Sequence, residues 1–181
     1  MKCKSLIAYI VIFFSGFITS TIVNWVNLFH SAEYYQILID AILYNRKNKN
    51  LKIFAYVIMP NHFHMICRSD KLSEIILSIK SFSAKEIIKN IQNDNNVELL
   101  KLFEENKPEY KRKRKYQIWQ EGFHPEGIIS DEMLSQKIEY IHFNPVVKGW
   151  AKEPKDWVYS SAKYFYTGEQ GVIPIDNICD E

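Results

Sequence analysis

Two histidines, His62 and His64, flank Phe63 within the run AYVIMPNHFHM at residues 55–65. In an extended strand successive side chains point to opposite faces, so both imidazoles project to one side, roughly 7 Å apart along the strand. Phe63 and Met65 point the other way, toward a core. Two imidazoles on one face are a ready pair of nitrogen ligands for a divalent metal. A bare His-X-His fits equally well two unrelated histidines on a half-exposed strand.

Further along, residues 137–145 read KIEYIHFNP. On a helix Tyr140 and Asn144, four apart, share a face. A tyrosine can act as a covalent nucleophile when its phenol, which ordinarily titrates near 10, is held beside a metal or a base. A metal on His62 and His64 would polarise a scissile phosphate, and the amide oxygen of Asn144 could complete its ligand set. Two imidazoles and an amide oxygen with open positions suit Mg²⁺ or Mn²⁺ bound jointly with substrate. Spacing alone does not single out Tyr140 among eleven tyrosines, and Asn-Pro is also a common way to end a helix. His142, two residues from Tyr140 and about 200° round the helix, should not join that site. His124, in a turn-rich stretch, either faces a nucleic-acid ligand or hydrogen-bonds within its loop, and the loop role is favoured.

The elements that would position these groups follow from periodicity. Phe17 to Trp25 is expected to be the first strand, with Thr19 and Thr21 on one face and Ile18 and Ile22 on the other. A helix should start after Ser31, its stripe formed by Tyr34, Ile37, Leu38, Ala41 and Ile42, before a polar connector at residues 45–50. Leu51 to Ile58 reads as a second strand, Met59-Pro60-Asn61 as a turn, and His62 to Arg68 as a third strand. Leu72 to Ile91 is a second helix, with Lys71, Lys80, Lys85 and Lys89 outside its apolar face. Residues 92–110 are polar and weakly patterned, and the spacing predicts a mobile centre there. Tyr116 to Gln120 reads as a strand. A helix capped by Ser130 or Asp131 should stop at Pro145. Trp150, Trp157, Tyr159 and a short helix near residues 160–165 should dock on the core. The order predicts an α+β sheet with helices packed against it.

A chain of 181 residues with 47% hydrophobic content can bury one sizeable core. The net charge of +2 excludes little, but Lys111, Arg112, Lys113, Arg114 and Lys115 form an unbroken basic run. It is either a nucleic-acid contact or a solubilising or targeting block. Three scattered cysteines, with no CxxC, suggest a reducing compartment and no cysteine metal site. Lys2 and Lys4 before the apolar run Leu6 to Phe14 resemble the start of a signal peptide. The run is shorter than the roughly 20 residues a membrane-spanning helix needs. We favour a long buried strand that begins near Tyr9 and continues through residues 17–25, because cleavage near Ser20 would remove half of the β-rich run at 17–25. There is no Gly-rich phosphate loop and no internal repeat.

MPNHFHMI, then WQEGFH, then YIHFNPVVKGW resemble in order the motifs of the single-tyrosine HUH transposases, in particular the REP-associated branch of the insertion-sequence 200-like family. The likeness runs from about Phe17 to Phe165. It implies a ferredoxin-like fold with a central antiparallel sheet, and metal-dependent cleavage and strand transfer on single-stranded or hairpin DNA. By position it makes His62, His64 and Asn144 metal ligands and Tyr140 the nucleophile that forms a 5′-phosphotyrosine link. Relatives grip hairpins through basic surfaces, for which residues 111–115 are the candidate. The expected organisation is an apolar extension at 1–16, a transposase-like domain at 17–166 and a tail at 167–181. The expected setting is the cytoplasm with no membrane, as monomer or homodimer. Rival readings are a hairpin-binding protein of the same fold without efficient catalysis, and a phosphodiesterase that uses water with Tyr140 structural.

Overall fold

The computed structural model describes residues 15–108, 110 and 115–178. Four antiparallel strands form one sheet: β1 (Gly16–Thr21), β2 (Lys52–Met59), β3 (His62–Arg68) and β4 (Glu126–Gly127), in the spatial order β2-β3-β1-β4. Helices α1 (Ala32–Asn48), α2 (Leu72–Asn93), α3 (Val97–Glu105), α4 (Asp131–Val147) and α5 (Ala162–Thr167) lie between and after them. This is the expected α+β architecture, and its strand order is compatible with a ferredoxin-like sheet.

β2 and β3 are joined through Pro60 and Asn61 into a hairpin whose central residues are buried on both faces. That double burial explains their nearly continuous apolar sequence, which antiparallel strands with one wet face would not show. A bulge at Phe54, between the pairs Ile53↔Cys67 and Ala55↔Ile66, keeps β2 in register with β3. On one face Ile18, Met65, Phe63 and Ile58 pack with Leu38 and Ile42 of α1 and Ile75 and Ile79 of α2. On the other, Phe17, Val57, Met59 and Ile66 meet Ile141, Met133, Leu134 and Ile138 of α4. The helix that carries Tyr140 is therefore pressed by its apolar stripe onto the sheet face opposite α1 and α2.

Several boundaries differ from the sequence expectation. The first strand ends at Thr21; Ile22 makes a single bridge to Trp119, and a 3-10 turn at Val23–Trp25 follows. Tyr116 to Gln120 is accordingly not a strand but an irregular segment. It is anchored by bonds from Val23 N to Ile118 O (2.9 Å) and from Gln120 N to Thr21 O (2.8 Å). The connector expected at 45–50 is helical to Asn48, because the Asn45 amide turns back on Ala41 O (2.8 Å) without leaving the helix. Within 92–110 the structure has α3. Asn96 accepts from Leu99 N (3.1 Å) to start it, and buried Phe103 holds it to the core. α4 runs through Pro145 to Val147, because a proline in the last turn forfeits only one intrahelical donor.

Trp157 and Tyr159 dock as expected: the Trp157 indole donates to Ile58 O (3.0 Å) and Tyr159 stacks on Tyr35 at 3.5 Å. The outer edge of β2 is then sealed by its own chain. Ile58 N bonds Tyr159 O (2.8 Å), Tyr56 N bonds Ser161 Oγ (2.9 Å), and Ile53 N bonds Asp176 Oδ2 (2.9 Å). No helix among the described residues is long and apolar enough to cross a membrane. The apolar run at Leu6 to Phe14 lies outside the described residues.

Candidate active site

The hairpin places His62 and His64 side by side on the face that α4 covers. They are flanked in the sheet by Thr21 and Thr19 of β1 and by Met59 and Val57 of β2. Their ring centroids are 4.7 Å apart. Both are buried, at 6% and 4% exposure. Burial, with the Lys148 charge second, lowers His62 to about 4. Burial, with His62 and Lys137 behind it, lowers His64 to about 3. Both rings are therefore neutral near pH 7, and each keeps one nitrogen lone pair.

Which nitrogen is free is set by the neighbours. His62 Nδ1 lies 2.6 Å from Asn61 Oδ1, an acceptor, so Nδ1 carries the hydrogen and Nε2 the lone pair. The Asn61 orientation is fixed by its other end, which donates to Trp25 O (3.2 Å). His64 Nδ1 lies 2.8 Å from Thr19 Oγ1. The tautomer that donates to Thr19 leaves the lone pair on Nε2, and that atom is buried with no hydrogen-bond partner. Buried polar atoms are seldom left unmatched. Asn144 Oδ1 is a second such atom.

α4 delivers the remaining groups. Ser130 starts it by accepting from Met133 N (3.1 Å), and its site face carries Lys137, Tyr140 and Asn144. Tyr140 is half-exposed, at 51%, with its ring 5.1 Å from that of His64. Asn144, one turn on, is 7% exposed. Phe17 stacks on His64 at 5.3 Å and meets the edge of Tyr140 at 6.1 Å. Lys137 lies over the Phe17 ring at 4.5 Å and pairs with Glu126 at 2.6 Å. His142 points away, as its spacing predicts: Nε2 meets Ser161 Oγ at 2.9 Å, and burial lowers it to about 4.

The structure thus gathers His62, His64 and Tyr140 and sets Asn144 on the same helix face. Among the described residues no three His, Cys, Asp or Glu side chains cluster as a metal site. Of the basic run, Lys111, Arg112, Lys113 and Arg114 lie outside the described residues. Lys115 is exposed, its ammonium 5.2 Å from the Tyr116 ring. Sequence reasoning missed Asn61, Thr19 and Phe17 as supports of the imidazoles. Asn61 directly precedes the pair, and Thr19 sits on the correct strand face, but only the β1–β3 register makes it a partner of His64.

The sheet thus carries a buried His-hydrophobic-His pair beside a half-exposed tyrosine borne on α4. The family described as Transposase IS200 like matches residues 24–101. A REP-associated tyrosine transposase of Escherichia coli is 26% identical over 147 residues, which cover 78% of this chain and 72% of its own. A second relative, from Haemophilus influenzae, is 29% identical over 111 residues, 59% of this chain and 56% of its own. The solved structure of a REP-associated tyrosine transposase bound to a REP hairpin shares the fold. Its TM-score is 0.60 at 22% identity, covering 93% of this chain and 89% of its own. By these comparisons the chain is similar to the REP-associated tyrosine transposases in sequence, and to one of them in fold.

Proposed function

We propose that the protein cleaves and rejoins single-stranded or hairpin DNA through a covalent 5′-phosphotyrosine on Tyr140, with a divalent metal, Mg²⁺ or Mn²⁺, held by His62, His64 and Asn144. The observation that carries the reading is the pair of buried, unpartnered atoms, His64 Nε2 and Asn144 Oδ1, on the two elements that bring His64 and Tyr140 together. A neutral imidazole nitrogen and an amide oxygen are donors suited to such a cation. When bound, the metal supplies a Lewis acid for a phosphate oxygen.

The chain's own groups do the rest. Asn61 and Thr19 fix the two rings so that both Nε2 atoms are available. Lys148, whose charge is felt at His62, would favour a phosphodiester beside the imidazoles, while the Lys137 ammonium near His64 is shared with Glu126. Tyr140 is exposed enough for its phenol oxygen to reach a phosphorus atom, and its proton passes to solvent. The new tyrosine–phosphate bond replaces the bond to the departing 3′ oxygen. Attack by a 3′ hydroxyl reverses the exchange, so rejoining needs no nucleotide energy. Residues 111–115 add a basic surface for the hairpin, and residues 17–166 constitute the working domain.

The test is a hairpin oligonucleotide with unpaired flanks, labelled at both ends, incubated with Mg²⁺ or Mn²⁺ and run on a denaturing protein gel. A labelled covalent band is expected, lost in Tyr140→Phe and in His64→Ala while hairpin binding persists. Cleavage without the band would assign the chemistry to water. Binding with neither would leave a hairpin-binding protein.

A further inference from the structure

We propose that the indole of Trp25 is a stacking platform for one unpaired nucleobase beside the phosphate that Tyr140 attacks, an inference that rests on the strand-transfer reading above. Its starting point is a break in the strand pattern. The run ITSTIVNW has the composition to continue β1, yet the chain turns out of the sheet after Ile22. Asn24 and Trp25 have φ values of 53° and 54°. Asparagine tolerates this left-handed conformation, but a tryptophan there is a steric outlier. Such strain persists only where surrounding bonds impose it, and it gathers at functional sites. Here Val23 N bonds Ile118 O (2.9 Å), Trp25 N bonds Ile22 O (3.1 Å), and Asn61 Nδ2 bonds Trp25 O (3.2 Å).

The strained turn puts the indole outside the core. Trp25 is 58% exposed, while its neighbours Ile22 and Leu28 are fully buried. Its ring meets His62 edge-on, centroids 5.7 Å apart. The same Asn61 side chain that holds the Trp25 carbonyl fixes the His62 ring, so the indole is registered to the imidazole pair. Ring contacts continue from His62 to His64 at 4.7 Å and from His64 to Tyr140 at 5.1 Å. Two half-exposed aromatics are therefore connected through the imidazoles, one of them the nucleophile.

The chemistry of the occupant follows. A large exposed π-face suits a planar ring, and every nucleobase offers one without regard to sequence. The phosphate that Tyr140 would attack lies beside the imidazoles, drawn there by the Lys148 charge, and a base one sugar away from that phosphate comes within reach of the indole. Paired bases in a stem have their faces covered by their neighbours, so the base must be unpaired.

The experiment measures equilibrium binding by fluorescence anisotropy in the Tyr140→Phe background. The probe is a labelled hairpin with unpaired flanks, and each flanking nucleotide is replaced in turn by an abasic one. At one flank position the abasic change should weaken binding about tenfold. Trp25→Ala should lose the same factor on the intact oligonucleotide and nothing further at that position, and Trp25→Phe should recover most of it. Trp25→Gly relieves the left-handed strain, so its melting temperature should not fall although its binding does; this separates lost stacking from lost folding. Trp25→Ala binding that matches the parent, or an equal loss on every abasic probe, overturns the proposal. A covalent band in the Tyr140 protein with a flat Trp25 comparison would leave strand transfer standing and remove the stacking role. The reverse pattern would remove strand transfer and keep the stacking role, and failure to bind any hairpin would overturn both.

Discussion

Asn144 offers a test in which stability and function move in opposite directions. Its Oδ1 is buried and unpartnered, on a helix packed against the sheet. A buried acceptor without a donor costs about 1–3 kcal/mol, and replacing it by an apolar group of similar branching removes that cost. Asn144→Leu should therefore stabilise the metal-free protein by about 2 kcal/mol, which for a chain of this length is roughly 4–8 °C in melting temperature. Metal reverses the order. A ligand at a hundred times its dissociation constant stabilises the folded state by about 2.7 kcal/mol. The parent should gain that in Mn²⁺, whereas the leucine variant, with one donor fewer, gains little. Asn144→Asp should behave oppositely, melting lower in EDTA because it buries a charge and gaining more from metal. The assay is thermal unfolding by circular dichroism in EDTA and across a Mn²⁺ series, with Mg²⁺ as a second ion. If Asn144→Leu melts below the parent in EDTA, or shows the parent's full rise with Mn²⁺, the oxygen is not a vacant ligand and the reasoning fails.

Thr19→Val removes the partner of His64 Nδ1 and should weaken Mn²⁺ binding by about 10–100-fold in calorimetry; unchanged affinity would mean that the ring needs no such support. Tyr56→Phe leaves Ile173 N–H without its acceptor at 3.1 Å and should cost about 1–3 kcal/mol in urea unfolding. Gly171→Ala should destabilise by a comparable amount, because its Cβ would lie 2.8 Å from the same Tyr56 hydroxyl. Replacing residues 111–115 by serine should lower the logarithmic salt dependence of hairpin binding by about 0.9 for each charge that meets a phosphate in the stem. An unaltered slope would place the hairpin elsewhere on the protein.

Much of the site was legible because its residues obey short-range rules. The period of two put His62 and His64 on one face, and the Met59-Pro60-Asn61 turn fixed where their strand begins. The i,i+4 relation put Tyr140 with Asn144 and sent His142 elsewhere. What escaped depends on distant register or on unsignalled backbone. Thr19 becomes a partner of His64 only once β1 lies beside β3. The left-handed turn at Asn24 and Trp25 contains no glycine to announce it. Helix α3 was hidden because its short apolar stripe, Leu99, Leu100 and Phe103, sits among polar residues. Tyr116 to Gln120 carries the composition of a strand. Its anchors are instead single bonds and the Trp119 indole on Ser83 Oγ at 3.1 Å, which no local pattern encodes.

The sealed edge of β2 bears on how the protein avoids fibre formation. An open edge is a template on which a second copy can add a strand, and β2, which carries no charge from Ile53 to Met59, would be a dangerous one. Residues 159–176 occupy that template intramolecularly, meeting the N–H groups of Ile53, Tyr56 and Ile58. A single nick in the loop after α5 would release only the Asp176 contact on Ile53, leaving the bonds from Tyr159 and Ser161 and the residues His62, His64 and Tyr140 in place. Such a clipped molecule would keep most of its fold and yet expose the Ile53 end of the β2 edge, so a loss of solubility would report the damage before any change in secondary structure did.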